Sequence, residues 1–146
     1  METLSFEIII NAPQQKIWNI LWDSKTYGEW TRAFCEGSSL KTDWKVNGKT
    51  YFLDGQGNGM VSTIDSIEEP DHVVFKHLGT YSNGVEDTES MEVKQWSGAF
   101  EKYFIINMGE NVNKLHVEMQ TEKNYVEMMK NSFHNGLEVV KKLSEE

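Results

Sequence analysis

The sequence predicts an α+β domain in which a curved antiparallel sheet of about six to seven strands wraps around a long C-terminal helix. Three observations lead to it: an alternating segment at the start, a nearly unbroken series of strands and turns from residue 38 to 121, and one helical stripe at the end. Strands in succession, with the helices kept apart from them, are typical of this class. The length of 146 residues fits one domain spanning 1–146.

The first strand is predicted in the segment TLSFEIIIN, where large apolar residues alternate with polar ones. Its inward face carries Leu4, Phe6, Ile8 and Ile10. One or two short helices are expected next, because Asn11 is a good N-cap residue and Gln14 can complete a capping box. Apolar residues follow at helical spacing, and Gly28 marks a break before a second short helix.

Six further strands are expected near residues 39–45, 49–54, 59–68, 72–78, 91–106 and 112–121. Between them lie turn residues, of which Asn47-Gly48 is the clearest two-residue hairpin signal. The last segment predicts one long helix, in which Asn124 and Glu127 resemble a capping pair. Its apolar stripe consists of Val126, Met129, Phe133, Leu137 and Val140. A sheet that curves around this helix buries the stripe economically.

Composition excludes several classes of function. A net charge of −9 argues against binding to nucleic acid or to an anionic membrane surface. Cys35 is the only cysteine, so neither an internal disulfide nor a thiolate metal cluster is expected. The N-terminal segment has only a three-residue apolar run and predicts neither a signal peptide nor an anchor. We expect a cytoplasmic protein.

No motif predicts a metal, a cofactor or a catalytic nucleophile. The four histidines show no helical pairing, which argues against a metal site. The segment GQGNG lies between two strands and predicts a hairpin turn, because a phosphate loop needs a helix N-terminus after it. No nucleophile elbow of the G-x-S-x-G type occurs. The sequence therefore predicts no cofactor, no metal site and no committed catalytic residue.

His77 and Glu101 are the most distinctive polar pair of the predicted sheet. Alternation from Lys76, which should face water, places His77 and Phe75 on the concave side, and alternation from Lys102 does the same for Glu101 and Tyr103. If the two strands are neighbours, the two side chains come within reach of each other. Three interpretations stay open: a structural pair whose hydrogen bonds are satisfied locally, a polar anchor for a ligand, and a general acid–base pair.

Large apolar and aromatic residues are candidates for the lining of a cavity, with core packing as the alternative for each one. The candidate ligand-binding residues are Trp30, Trp44, Tyr51, Phe75, His77, Glu101, Tyr103, Met129 and Phe133. Gly136 interrupts the predicted C-terminal helix at a cost of about 1 kcal/mol relative to alanine. It either allows close approach of the sheet or leaves room for a ligand.

Several motifs in this order resemble a known superfamily. They are INAPQQKIWNILWD near the start, Trp30, DGQGNGMVSTIDSIEEPDHVVFKHLG, WSGAFEKYFI and the closing MMKNSFHNGLEVVKKL. Together they resemble the START-like, helix-grip superfamily (SRPBCC), in the branch homologous to the C-terminal domain of the heat-shock-chaperone ATPase activator. The resemblance covers nearly the whole chain and implies a helix-grip fold, with a cavity between sheet and helix that often takes an apolar small molecule.

The leading functional hypothesis is the binding of a small apolar or amphipathic molecule, without committed catalysis. Its polar anchor would be His77, Glu101 or Tyr103, and the segments 79–90 and 23–34 would gate the mouth. The alternatives are a protein-interaction module with a chaperone partner, and an enzyme of the cyclase or hydrolase type. Monomer and homodimer are both compatible with the sequence.

Overall fold

The computed structural model describes all 146 residues and contains one antiparallel sheet and four α-helices. The strands are β1 (Glu2–Ile10), β2 (Ser39–Thr42), β3 (Lys49–Leu53), β4 (Gly59–Glu68), β5 (His72–Ser82), β6 (Val85–Asp87), β7 (Phe100–Gly109) and β8 (Val112–Thr121). The helices are α1 (Gln14–Trp22), α2 (Ser24–Thr31), α3 (Met91–Lys94) and α4 (Val126–Glu145), with a 3₁₀ turn at Lys123–Tyr125 before α4. The predicted α+β class with a long C-terminal helix is confirmed.

The sheet has the strand order β1-β8-β7-β5-β4-β3-β2, and the short β6 pairs with β5 beside this path. Its core consists of 19 buried residues, drawn from the inner face of the sheet, from α1 and α2, and from the stripe of α4. Phe133, Leu137 and Val140 of that stripe are buried, while Met129 is half-buried. None of the helices combines the length and the apolar character that crossing a membrane requires.

The strand predicted at 91–106 is wrong over its first part. Residues Met91–Lys94 form α3, because the Ser90 hydroxyl caps it by accepting a hydrogen bond from the Val93 amide at 3.3 Å. Gly98 then adopts a positive φ of 94°, which turns the chain into β7 at Phe100. Because α3 has only four residues, it is too short to show a helical periodicity in the sequence.

Two of the four Asn-Gly pairs, Asn47-Gly48 and Asn83-Gly84, adopt different structures. Asn83-Gly84 forms the tight turn between β5 and β6, and both residues have positive φ (52° and 79°), as a type I′ hairpin requires. Asn47-Gly48 is predicted as a two-residue hairpin turn. It instead lies in a longer connection between β2 and β3, because the last paired residues of these strands are Thr42 and Thr50. Trp44, at φ 58°, falls in that connection, so β2 ends earlier than expected.

The predicted helix caps are also wrong. Helix α1 begins after Pro13, and the Gln14 amide donates to the Ile105 carbonyl at 2.8 Å rather than back to Asn11. Helix α4 begins after Tyr125 and has no side-chain cap, because a 3₁₀ turn that includes Asn124 precedes it. Helix α1 thus starts at a tertiary hydrogen bond to β7 and α4 starts at a 3₁₀ turn, and neither has the predicted side-chain cap.

Gly136 is a point of close helix packing. A Cβ atom there would lie 3.0 Å from the Trp30 carbonyl oxygen and 3.4 Å from the Phe34 ring. The close approach that the sequence predicted is therefore present, but the neighbour is α2 and the residues after it, not the sheet. It brings α4 against the α2 segment, whose Trp30 and the following Phe34 line the cavity described below.

Candidate functional site

A cavity of about 540 Å³ lies between the concave face of the sheet, α2 and the N-terminal half of α4. Sixteen of its 27 lining residues are hydrophobic. The volume falls within the range of about 300–1,000 Å³ that is usual for small-molecule sites. Its outer part is lined by Asp54 and Asn58 of the β3–β4 connection, by Cys35 and Ser38, and by Tyr125 before α4.

The polar wall of the cavity is a network of hydrogen-bonded side chains. His77 Nε2 lies 3.1 Å from Glu101 Oε1, and the Tyr103 hydroxyl donates to Glu101 Oε2. The predicted proximity of His77 and Glu101 is therefore present. It arises because β5 and β7 are adjacent and pair antiparallel, with Phe75 opposite Glu101.

Ser62 completes this hydrogen-bonded network, although no sequence pattern indicated it. Its Oγ lies 2.7 Å from His77 Nδ1, and the residue is fully buried behind the imidazole. Ser62 is opposite His77 in the β4–β5 pairing, just after a register shift at Val61/Ser62. Because Ser62 is not in the cavity lining, its role is to orient the His77 ring. Only the register of the folded sheet reveals this partner.

Both oxygens of Glu101 have a hydrogen-bonding partner: the Tyr103 hydroxyl donates to Oε2, and His77 Nε2 lies 3.1 Å from Oε1. Its side chain is 14% exposed, and it lines the cavity. Burial raises the pKa of the Tyr103 hydroxyl well above its usual range, and the negative charge of Glu101 raises it further. The pKa of Tyr27 is raised by the same two causes in the same order. Both phenols therefore stay neutral, and Tyr103 remains a hydrogen-bond donor.

The structure brings six of the nine candidate residues into the cavity lining. These are Trp30, His77, Glu101, Tyr103, Met129 and Phe133. Trp30 and Phe133 are almost fully buried, so each also serves as core. Cavity lining and core packing are therefore not exclusive for these residues, because the same side chains complete the core and line the cavity.

The other three candidates lie outside the lining. Phe75 is fully buried beneath Phe52, with the two ring centroids 5.0 Å apart. Trp44 packs against Trp22 at 5.7 Å, beside a second, smaller pocket. The Tyr51 hydroxyl donates to Glu86 Oε2 at 2.7 Å, next to the Lys49–Glu86 ion pair. The neighbouring Phe52 lines the cavity in place of Tyr51, because successive residues of a strand face opposite sides.

Several lining residues were not predicted. They are, among others, Tyr27, Phe34, Phe52, Met60, Trp96, Met119 and Met128. Alternation along β3 could have identified Phe52, but Phe34 and Trp96 lie outside the strands and α-helices. Of the two predicted gate segments, 23–34 contributes Tyr27, Trp30, Thr31 and Phe34, whereas 79–90 contributes Thr80 alone. Most of 79–90 is folded as the β5–β6 hairpin.

No group of three or more His, Cys, Asp or Glu side chains is placed to hold a metal ion. The polar groups of the cavity are thus organised as hydrogen-bonding partners around one carboxylate.

The order of elements and the cavity beneath the long helix define the helix-grip, START-like class of α+β proteins. The model of the family "Activator of Hsp90 ATPase homolog 1-like protein" matches residues 11–138. The chain belongs to this family. No curated protein sequence matches it.

Solved structures of the same fold are similar over nearly the full chain. An Hsp90 activator from Plasmodium falciparum is 18% identical with a TM-score of 0.64, covering 97% of this chain and 94% of that one. The Aha1 dimer from Colwellia psychrerythraea is 15% identical with a TM-score of 0.70, covering 99% and 97%. CalU16 from Micromonospora echinospora is 14% identical with a TM-score of 0.67, covering 97% and 65%. At these identities the likeness shows the fold alone.

Proposed function

We propose that the protein binds a small, largely apolar molecule in the cavity between the sheet and α4, without committed catalysis. The observation that carries the proposal is the cavity itself: about 540 Å³, mostly hydrophobic walls, and polar groups gathered at His77, Glu101 and Tyr103. Ligand sites generally combine an apolar lining with a few polar groups that fix orientation. The apolar part of the ligand would contact Trp30, Met129 and other lining residues.

The position of Ser62 favours binding over hydrolysis. Its hydroxyl contacts His77 but is buried on the far side of the ring from the cavity lining. A hydrolase of the serine type needs the hydroxyl exposed where a carbonyl carbon can reach it. In this site the exposed polar atoms belong to groups that accept or donate hydrogen bonds, which suits an anchor.

Two measurements test the proposal. Native mass spectrometry of protein purified from its own cells should reveal a co-purifying small molecule. A neutral apolar dye, Nile red, should bind the ligand-free protein with one site per chain. An absence of both the co-purified molecule and saturable dye binding would overturn the proposal.

A cavity-filling variant locates the site. Met129→Trp enlarges a half-buried lining side chain on α4, and it should weaken dye binding by about tenfold or more, since a ligand and the indole compete for one volume. Met108→Trp is the matched control, because Met108 is 55% exposed on β7 and outside the lining. Equal binding by the two variants would place the dye elsewhere.

A second function, interaction with a chaperone, is favoured by family membership and by the likeness to an Hsp90 activator. It would use the protein's surface rather than the cavity. The test is the ATPase rate of an Hsp90-type chaperone with increasing amounts of this protein. An unchanged rate, with no complex detected by analytical ultracentrifugation, would reject it.

A further inference from the structure

We infer that the molecule bound in this cavity carries a positively charged amine beside its apolar body. The inference rests on the proposed function and names the chemistry of the ligand's polar end. It follows from the signs of the charges that line the cavity, from the unoccupied hydrogen-bond acceptor positions of Glu101, and from the aromatic rings next to Glu101.

The charges of the lining are mostly negative. Asp54, Glu101 and Glu122 contribute carboxylates, and no lysine or arginine lines the cavity. The basic groups present are the His77 imidazole and the amino group of Met1, a residue that is 55% exposed. An anionic ligand would thus face carboxylates without a guanidinium or lysine ammonium partner. Charges interact more strongly in a partly enclosed apolar space than in water.

Two lysines on strands that line the cavity have their side chains outside it. Lys102 lies between Glu101 and Tyr103 in β7, so its side chain faces the convex side, where its Nζ is 3.3 Å from Glu118 Oε2. Lys49 pairs with Glu86 at 2.9 Å outside the cavity lining. Alternation along the strands therefore separates the charges, with the carboxylate on the concave face and cations on the other.

Glu101 retains acceptor capacity. A carboxylate offers about four lone-pair positions, and His77 and Tyr103 occupy one on each oxygen. Asp54 also has two hydrogen bonds, from the amides of Gln56 and Asn58, but it lies in the turn after β3, and Glu122 follows the end of β8. Glu101, in contrast, is only 14% exposed and lies within the polar wall of the cavity. Glu101 is therefore the carboxylate best placed to accept hydrogen bonds from an ammonium group.

Aromatic rings surround the same end of the cavity. The centroid of Trp30 lies 5.5 Å from that of Tyr27 and 6.4 Å from that of Tyr103, and all three residues line the cavity. Ring faces attract cations, and such contacts contribute about 0.5–2 kcal/mol each. An alkylammonium group combines both requirements, because it is a hydrogen-bond donor with an apolar chain attached.

Three probes of equal chain length test the inference: decylamine, decanol and decanoate, each competing with bound Nile red below its micelle concentration. We expect decylamine to bind about tenfold more tightly than decanol, the size of one or two favourable cation contacts, and decanoate to bind least. Equal affinities for amine and alcohol, or tighter binding of decanoate, would overturn the inference while leaving the proposed function standing. Failure of all probes and of Nile red would reject the proposed function.

The Glu101→Gln variant tests whether Glu101 causes the preference for decylamine over decanol. The variant removes the charge but keeps an acceptor oxygen, so the advantage of decylamine over decanol should vanish while decanol binding persists. Glu118→Gln is the matched control, since Glu118 lies on the neighbouring β8 and faces the convex side beside Lys102. An unchanged amine preference in Glu101→Gln would contradict the role given to Glu101. If that variant fails to fold, the probe series on the unmodified protein still decides the inference.

Discussion

The Tyr103 hydroxyl donates a hydrogen bond to the Glu101 carboxylate two residues before it on the same strand. Since residues two apart in a strand share a face, β7 presents an acid together with its own donor to the interior. His77 Nε2, on β5, lies 3.1 Å from the other oxygen of this carboxylate. A carboxylate is thereby held at the wall of an apolar cavity at a lower cost than an unpartnered one.

The first prediction concerns that donor. Tyr103→Phe keeps the ring, whose centroid lies 4.8 Å from that of Trp22, but leaves Glu101 Oε2 without its partner. We expect the free energy of unfolding, measured by urea denaturation, to fall by about 1–3 kcal/mol. Tyr51→Phe is the control, because its phenol serves an exposed carboxylate, and we expect a loss below about 1 kcal/mol. A smaller loss for Tyr103→Phe than for Tyr51→Phe would contradict this account.

The second prediction concerns alkaline pH. Burial, and then the charge of Glu101, raises the pKa of Tyr103 and Tyr27 above the unfolded value of about 10. The unfolded chain therefore releases these protons first, so stability is fully present below pH ~10 and falls as the pH rises further. Urea denaturation at pH values on both sides of ~10 measures this decline. The Tyr27→Phe/Tyr103→Phe double variant should decline less steeply; an equally steep decline would show that other groups cause it.

The third prediction concerns Gly136. Alanine favours a helix by about 1 kcal/mol over glycine, yet a Cβ here meets the Trp30 carbonyl at 3.0 Å. We expect Gly136→Ala to lower the free energy of unfolding by about 1 kcal/mol or more, because overpacking outweighs propensity. Asn135→Ala on the exposed side of α4 should be neutral or slightly stabilising. Stabilisation by both variants would mean that the helices separate easily.

The fourth prediction compares two asparagines. Asn113 is buried on β8, and its Nδ2 donates to the Ala12 carbonyl at 2.8 Å, which ties the chain before α1 to the sheet. Asn113→Ala should cost about 1–3 kcal/mol of unfolding free energy. Asn11→Ala should change it by less than about 0.5 kcal/mol, since the exposed Asn11 does not cap α1. If Asn11→Ala instead lowered the free energy of unfolding by about 1 kcal/mol, as the loss of an N-cap does, Asn11 would act as the predicted cap of α1.

Sequence patterns were sufficient for the faces of the strands. The exposed-side lysines, Lys76 and Lys102, correctly predicted that His77, Glu101 and Tyr103 face inward. The same alternation in β3 places Tyr51 on one face with Lys49 and Phe52 on the other, so Phe52 lines the cavity and the candidate Tyr51 lies outside it. Periodicity was informative wherever a strand stayed regular.

Features that depend on tertiary contacts were not predictable in this way. Ser62 meets His77 only because of the register shift between β4 and β5. Which segment packs against Gly136 depends on how α2 crosses α4. The lining residues Phe34 and Trp96 lie in segments without periodic structure, where alternation gives no signal. Local patterns determine which way a side chain faces, but they do not determine what it meets.

The pairing of β1 with β8 has a consequence for biosynthesis. Its register runs from Glu2 opposite Thr121 to Ile10 opposite Asn113, and β8 is the only strand that β1 pairs with. The ribosome therefore makes the first strand on the order of 5–20 s before its partner exists, at ordinary rates of synthesis. During that interval Phe6 and Ile8 have no sheet to join, so closure of the sheet waits for β8 to emerge. Force-sensitive translational arrest should detect folding only after β8 has left the exit tunnel, and a signal at shorter nascent chains would contradict this order.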